Sequence, residues 1–476
     1  MTTLIPKHKQ TATGAVNRSI SQKLDEIPSL SDFDTNANYE AYALTLTQPV
    51  DHAVKPETVI RTLSSKLKDT ISVLDFGAVA DGSISTGTGT DNTAAFQLAI
   101  TTLGVNGSLY VPEGVYMLHS QVTIPSGFNI VGAGSYQSVL CAKSTFNSDG
   151  IIKFNGAGGP PTSIQHLGII AQQGGAGASS IGLNMQANGS YASNIWAGGF
   201  AESVVMTSSS SFFYDSVIDV GISAGKGLRV SYGASIVSNV QIYDNYVGAE
   251  ITNATIDGPV TFDNVQFIDC DYAGLLVSSA TAVQINNCSC LALSASKFNY
   301  VGLRLDTCSN VNITNFTGLV TSTTGLGIEI ESSSSVTVSN SILTNWIKGI
   351  KARVSTEINI NGNICSGNKE QGIYVDGGGR VIISNNNCNS NGDVSASSAG
   401  ITASNSASYG LFTLLGNTCS QEGGGVQKYG INVNLTDNGA NSGFTNLVGN
   451  MAKFNTTANI NTTGKVANIS STGNVV

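Results

Sequence analysis

Carboxylates dominate the short inventory of side chains able to do chemistry in this sequence. The 476 residues hold 31 acids, 22 bases and four histidines, His8, His52, His119 and His166, none in a Ser/His/Asp-like setting. One concentration stands out: Asp306, Glu329 and Glu331, interleaved with Arg304, Lys351 and Arg353. Two carboxyl groups about 5 Å apart resist joint ionisation, so one keeps a proton beside an ionised partner. That is the equipment for breaking a glycosidic bond, in which one group protonates the leaving oxygen and the other activates water or attacks the sugar. The bland alternative is a surface network in which the three cations absorb the repulsion. A second candidate set is Asp244 and Asp269, with Asp271 nearby, in SNVQIYDN (Ser238–Asn245) and DNVQFIDC (Asp263–Cys270). Asp also suits a turn there, because its side chain satisfies turn backbone groups. Arg304 and Arg353 fit roles in tuning the acids or gripping an acidic sugar. Tyr243, Tyr374 and Trp346 fall at or near outward positions where sugar faces stack, although Trp346 also suits the edge of a core.

These groups become neighbours only if the chain coils. From Gly227 onward a glycine keeps returning ahead of an alternating apolar strand: Gly248, Gly274, Gly302, Gly327, Gly349, Gly372, Gly400 and Gly430. A second landmark follows five of them at a fixed distance: Asn287, Asn315, Asn340, Gly362 and Asn385. Between the two landmarks lies another alternating strand, with apolar pairs such as Val311/Ile313 and Ile358/Ile360. Beyond the second comes an apolar column of Cys290, Leu343, Cys365, Cys388 and Cys419, occupied in earlier repeats by Ile242 and Phe267. Three short strands per turn, each alternating in and out, predict an all-β, right-handed, single-stranded parallel β-helix. Stacking at about 4.8 Å makes Arg229, Glu250, Leu276, Arg304, Glu329, Lys351 and Tyr374 one outward column. Ser231, Thr252, Ser278, Asp306, Glu331, Arg353 and Asp376 form its neighbour. Most vertical pairs alternate in sign; Asp306 and Glu331 do not.

Composition narrows the classes further. Charged residues make up 11% of the chain, and its 54 glycines argue against a helical bundle. A net charge of −9 disfavours a phosphate-backbone partner, so nucleic acid is not expected. MTTLIPKHKQ at the N-terminus lacks the apolar run of a signal peptide, and no apolar stretch of about 18 residues predicts membrane insertion. Cys290, Cys365, Cys388 and Cys419 fall in an inward column, which points to free, buried thiols and synthesis in a cytosol. Their spacings are repeat lengths without accompanying histidines, so no zinc site is expected. No ligand cluster demands calcium, and no cofactor is called for.

Residues 1–70 lack the repeat. They hold a self-similarity instead: RSISQKLDEIPSLSDF (Arg18–Phe33) returns as RTLSSKLKDTISVLDF (Arg61–Phe76), either two similar amphipathic segments or a duplicated adaptor. DFGAVADG (Asp75–Gly82) then leads to TDNTAAFQLAI (Thr90–Ile100), a short helix introduced by Asp91 with Ala94, Ala95, Leu98 and Ile100 as its apolar positions. LYVPEGVYML (Leu109–Leu118) and FNIVGAG (Phe128–Gly134) complete the series. This resembles the cap and first rungs of the pectate-lyase-like β-helix family, in the form used by bacteriophage tailspike and tail-fibre proteins. The resemblance implies a virion-attachment region over 1–70 docking on phage tail or portal-adaptor proteins, a β-helix over 71–450, and a short C-terminal segment over 451–476. It implies a homotrimer in the virion tail, made in the host cytoplasm, whose β-helix engages a bacterial surface polysaccharide such as capsule or lipopolysaccharide O-antigen. Endo-glycosidic hydrolysis by Asp306, Glu329 and Glu331 is the expected activity. A receptor-binding fibre without catalysis, or a polysaccharide lyase, are the alternatives.

Overall fold

The computed structural model describes residues 70–155, 159–219, 225–254, 258–294, 297–321, 325–377, 379–392, 398–405, 410–421, 426–435, 444–464 and 469–476. The attachment region expected over 1–70 lies outside the described residues apart from Thr70. So do the segment Arg18–Phe33 and residues 295–296 and 322–324.

The coil begins with a capped turn. Ser72 caps the 3-10 turn Val73–Phe76 by accepting from Leu74 N, and Asp75 Oδ2 accepts from Ser72 N at 2.9 Å. The α-helix Thr93–Leu103 follows, with Asp91 Oδ1 accepting from Thr93 N at 3.0 Å. It buries Phe96, Ala99 and Ile100, and Phe96 meets Tyr116 edge-on at 5.8 Å. The expected apolar face was partly wrong, since Leu98 is 55% exposed and Phe96 carries the contact instead.

Every strand pairing between rungs is parallel, in one sheet of 14 strands and another of 21, wound as a right-handed solenoid. Two constraints fix its register. In the first, each repeating glycine lies against the rung above. A Cβ added at Gly248 would stand 2.6 Å from Gly274 O, one at Gly274 2.6 Å from Gly302 O, and one at Gly349 2.6 Å from Gly372 O. Only hydrogen fits there. In the second, one turn holds a left-handed residue at the same register in rung after rung: His166, Asn194, Asp215, Asn239, Asn264, Asn287, Asn315, Asn340, Gly362, Asn385, Gly416, Gly449 and Gly473 all have φ between 47° and 70°. Asn, Asp and Gly tolerate that region best, which explains the second landmark of the sequence. Just inside it Asn363, Asn386, Asn417, Asn450 and Asn474 form a buried ladder, each amide donating about 3 Å to the next carbonyl oxygen.

The third column is buried as expected, including Cys290, Leu343, Cys365, Cys388 and Cys419, and all eight cysteines are free and buried. Two expectations are corrected. Trp346 is no sugar platform: it is fully buried, its Nε1 donating to Gly318 O at 3.1 Å and its ring centroid 6.0 Å from that of Phe298. Gly318 stands between Cys290 and Leu343 in the inward column without a side chain, and the indole fills the space left there. Nor does the coil stop at 450. Ala458–Gly464 pairs with Tyr429–Leu435 and Ile469–Thr472 with Phe444–Val448, so the 451–476 segment supplies further rung strands.

Trp346→Ala should therefore cost about 3–5 kcal/mol, seen as a lower denaturation midpoint. Gly349→Ala, which forces a methyl against Gly372 O, should cost about 1–3 kcal/mol. The thiols add a pH dependence. Burial raises Cys141, Cys270 and Cys288 from the ordinary 9.0 to about 12. Below pH 9 these thiols are neutral whether the chain is folded or not. Above it only the unfolded chain ionises, so stability should fall as pH rises towards about 12. Chemical denaturation at pH 7, 9 and 10.5 measures this.

Candidate functional site

The strands Val301–Asp306, Leu326–Glu331, Lys348–Arg353 and Gln371–Asp376 alternate strictly near their C-terminal ends. Leu303, Leu305, Ile328 and Ile330 point inward, which turns the charged residues between them outward. The expected columns are present in register. Arg229 aligns with Glu250, then Leu276, Arg304, Glu329, Lys351 and Tyr374; Ser278 aligns with Asp306, then Glu331, Arg353 and Asp376. Asp306 and Glu331 are therefore direct neighbours on adjacent strands, about 4.8 Å apart along the backbone.

Their surroundings are cationic. Arg304 forks between two acids, with Nη2 3.0 Å from Asp306 Oδ2 and Nη1 3.0 Å from Glu329 Oε2. Arg353 Nη1 stands 4.0 Å from Glu331 Oε1. Glu329, expected to share the acid/base work, is revised to a structural anchor. It is only 4% exposed, with Oε1 on Lys351 Nζ at 2.7 Å and Oε2 on Arg304 and on Tyr300 Oη at 3.3 Å. The Asp306 side chain is 41% exposed and that of Glu331 21%, so these two remain the reachable acids. Further down the sheet the ladder continues as Arg229 with Glu202, both ends hydrogen-bonded at 2.8 Å, an ion pair that raises the arginine's pKa.

Sequence reasoning passed over three tyrosines. Tyr246, Tyr272 and Tyr300 each stand two residues ahead of a repeating glycine, and they stack with centroids 5.1 and 4.8 Å apart. Arg304 Cζ lies 5.4 Å from the Tyr300 centroid, so the stack runs into the charged cluster. A tyrosine at a constant offset in three successive repeats was the available signal. Tyr374 is half-buried beneath Lys348 Nζ, 5.6 Å from the ring centroid, and burial raises its hydroxyl pKa ahead of the charge of Asp376.

The second set of carboxylates behaves as turn residues. Asp244 and Asp269 have φ of 48° and 52°, on the same turn as Asn345 and Gly367. Asp269 Oδ1 accepts from Leu293 N at 2.7 Å and Ser294 N at 3.1 Å, closing the following loop. Asp244 and Asp271 share Lys297, at 3.4 and 2.7 Å, and the bond to Asp271 raises the lysine pKa. His166 takes one of the left-handed turn positions and bonds Asn194, while His119 faces Asp91 at 3.6 Å. Among the described residues no group of three His, Cys, Asp or Glu is placed to hold a metal ion, and no helix is long and apolar enough to cross a membrane.

Comparison with known proteins agrees with this architecture. Residues 70–276 match the family described as rhamnogalacturonase A/epimerase, pectate lyase-like, and residues 292–450 match the right-handed beta helix region. The tail spike protein of Shigella phage Sf6 is 41% identical over 96 residues, a stretch spanning 19% of this chain and only 14% of that curated relative. Among solved structures, tailspike protein 3 of bacteriophage CBA120 aligns with a TM-score of 0.51 at 14% identity, covering 90% of this chain and 64% of that one. The catalytic unit of a GH87 α-1,3-glucanase from Streptomyces thermodiastaticus strain HF3-3 aligns at 0.53 and 15% identity, over 73% and 68%. At such identities the structures establish the fold alone. The fold is thus a right-handed parallel β-helix, the first part of which matches a pectate-lyase-like family model. The likeness to a tail spike protein is confined to that 96-residue stretch, a small part of both chains.

Glu329→Gln should destabilise the coil by about 3–5 kcal/mol, because it leaves Arg304 and Lys351 without their shared counter-charge. Equilibrium unfolding of this variant beside Glu331→Gln, which sits at the exposed edge and should cost less, separates anchor from surface acid.

Proposed function

We propose that this chain is the host-recognising part of a phage tailspike, and that the outer face of its 14-stranded sheet engages and cleaves a bacterial surface polysaccharide. In this reading the protein is a homotrimer attached to the virion through residues 1–70. The single observation that carries the cleavage is the register of Asp306 against Glu331, two reachable acids on adjacent strands. Retaining glycosidases hold their two carboxyl groups about 5–5.5 Å apart, close to the spacing of neighbouring strands, so hydrolysis with retention follows. Arg304 lies 3.0 Å from Asp306, whereas Arg353 stands 4.0 Å from Glu331. In this reading Asp306 serves as the nucleophile and Glu331 as its acid/base partner, with Arg304 and Arg353 gripping the sugar. The sheet-bearing relatives support a glycan as ligand: one is a tail spike protein and another a glucanase catalytic unit.

A second reading, recognition without cleavage, is favoured by the same arginines, since each acid has a cation at hand and the pair is balanced as part of a charge ladder. Incubation with purified capsule or lipopolysaccharide and sizing of the glycan separates the two. Cleavage predicts shortened chains and a loss of about 10²–10⁴-fold in rate for Glu331→Gln and Asp306→Asn, with folding retained. Full-length glycan that still co-sediments with the protein leaves recognition alone.

A further inference from the structure

The other sheet carries a site of different chemistry. Its long strands Phe212–Asp219, Ile236–Tyr243 and Val260–Ile268 stack in register, with Val217, Gln241 and Gln266 in one outward column. Beside that column run the left-handed turn residues Asp215, Asn239 and Asn264. Together they line a surface cavity of about 260 Å³. Asn239 donates to Asp215 at 2.9 Å and Asn264 to Asn239 at 2.9 Å; Gln241 donates to Gln266 at 3.2 Å and accepts from Tyr243 Oη at 2.9 Å. These chains of amides end in unused groups: among the described residues Asn264 Oδ1 and Gln266 Nε2 have no protein partner, one an acceptor and one a donor. The turn geometry accounts for Asn239 and Asn264, but it places no demand on the paired glutamines.

An aromatic pair stands one strand below the edge of the cavity. Trp196 aligns with Val217 in the same outward column, and Tyr136, 63% exposed, lies with its ring centroid 4.8 Å from that of the indole. A large exposed aromatic against a second ring, in line with fixed amides two strands above, takes the apolar face of one sugar of a chain while hydroxyls of the next sugars meet donors and acceptors. Charge selects among sugars. The three strands contain Asp215, Asp219 and Asp263 and no Lys, Arg or His, so their own charges disfavour an anionic sugar. This is the reverse of the Arg304–Arg353 face.

We infer that the face running from Trp196 and Tyr136, past Val217, to Gln241 and Gln266 two and three strands above the indole binds an uncharged oligosaccharide, its rings stacking at one end and its hydroxyls meeting the amides of the cavity at the other. The inference goes beyond the cleavage reading and stands without it, since the two sites lie on different sheets. The chain has two tryptophans, and Trp346 is sealed in the core, so a ligand-induced fluorescence change reports on Trp196. The full chain should be titrated with maltotetraose, chitotetraose, galactose oligomers and rhamnose oligomers as neutral probes, and with tetragalacturonate as the acidic one. At least one neutral probe should give a saturable change, and tetragalacturonate none. The double variant Gln241→Ala/Gln266→Ala should weaken the neutral response at least tenfold, and Tyr136→Ala likewise, while thermal midpoints stay close to that of the parent. Glu331→Gln should leave the response intact, which keeps failure of the cleavage reading separate from failure of this one. A flat response to every neutral probe overturns the inference. So does a response that survives the glutamine double variant, or one stronger for tetragalacturonate.

Discussion

Each turn of this coil rests against the next through a backbone that has no side chain to hold it off. From Gly227 to Gly400, the glycine near the start of each strand in the 14-stranded sheet faces the carbonyl oxygen of the next glycine, at a distance where a methyl group would overlap it. Backbone approach of that kind sets the registration between rungs. Once it is set, residues two dozen positions apart become lateral neighbours, and the inward Leu, Ile, Val and Cys positions pack as continuous columns. The left-handed turn and the buried Asn363–Asn474 ladder repeat the same constraint at another corner of each rung, where an amide both caps the backbone and bonds the next amide.

With the interior so uniform, distinction between faces falls to the outward positions. The 14-stranded sheet gathers the charge: Glu202 pairs with Arg229, and further along, beyond Leu276, Arg304, Asp306, Glu329, Glu331, Lys351 and Arg353 form a cluster. The strands that carry Gln241 and Gln266 are almost uncharged and present amides and aromatic rings instead. A long polysaccharide with both acidic and neutral residues would meet complementary chemistry on two sides of one coil, without any change in the fold beneath.

The repeating glycines, the left-handed landmark and the alternating strands carried nearly all of the architecture, because a solenoid contacts only its neighbouring rungs and a period in sequence translates into a vertical column. The alignment of Asp306 with Glu331 follows from that rule alone. The roles of single side chains were less legible. Trp346 sits at a position that reads as outward, yet it turns inward because Gly318, a rung away, leaves a void that only a large ring fills. Glu329 shares the residue type and column of a reactive acid, but two cations and Tyr300 close over it. Tyr246, Tyr272 and Tyr300 were visible as a repeat, though not as a stack, since nothing local states that their rings lie parallel.

What the residue order determined unaided is the winding of the chain and the identity of vertical neighbours, because both depend on backbone sterics and a period that recurs along it. Which outward groups stay reachable, which are tied down, and where a cavity opens were decided by the tertiary structure. Those properties depend on side-chain lengths and directions from several rungs at once, and a one-dimensional period holds no information about how such side chains fill the space between them.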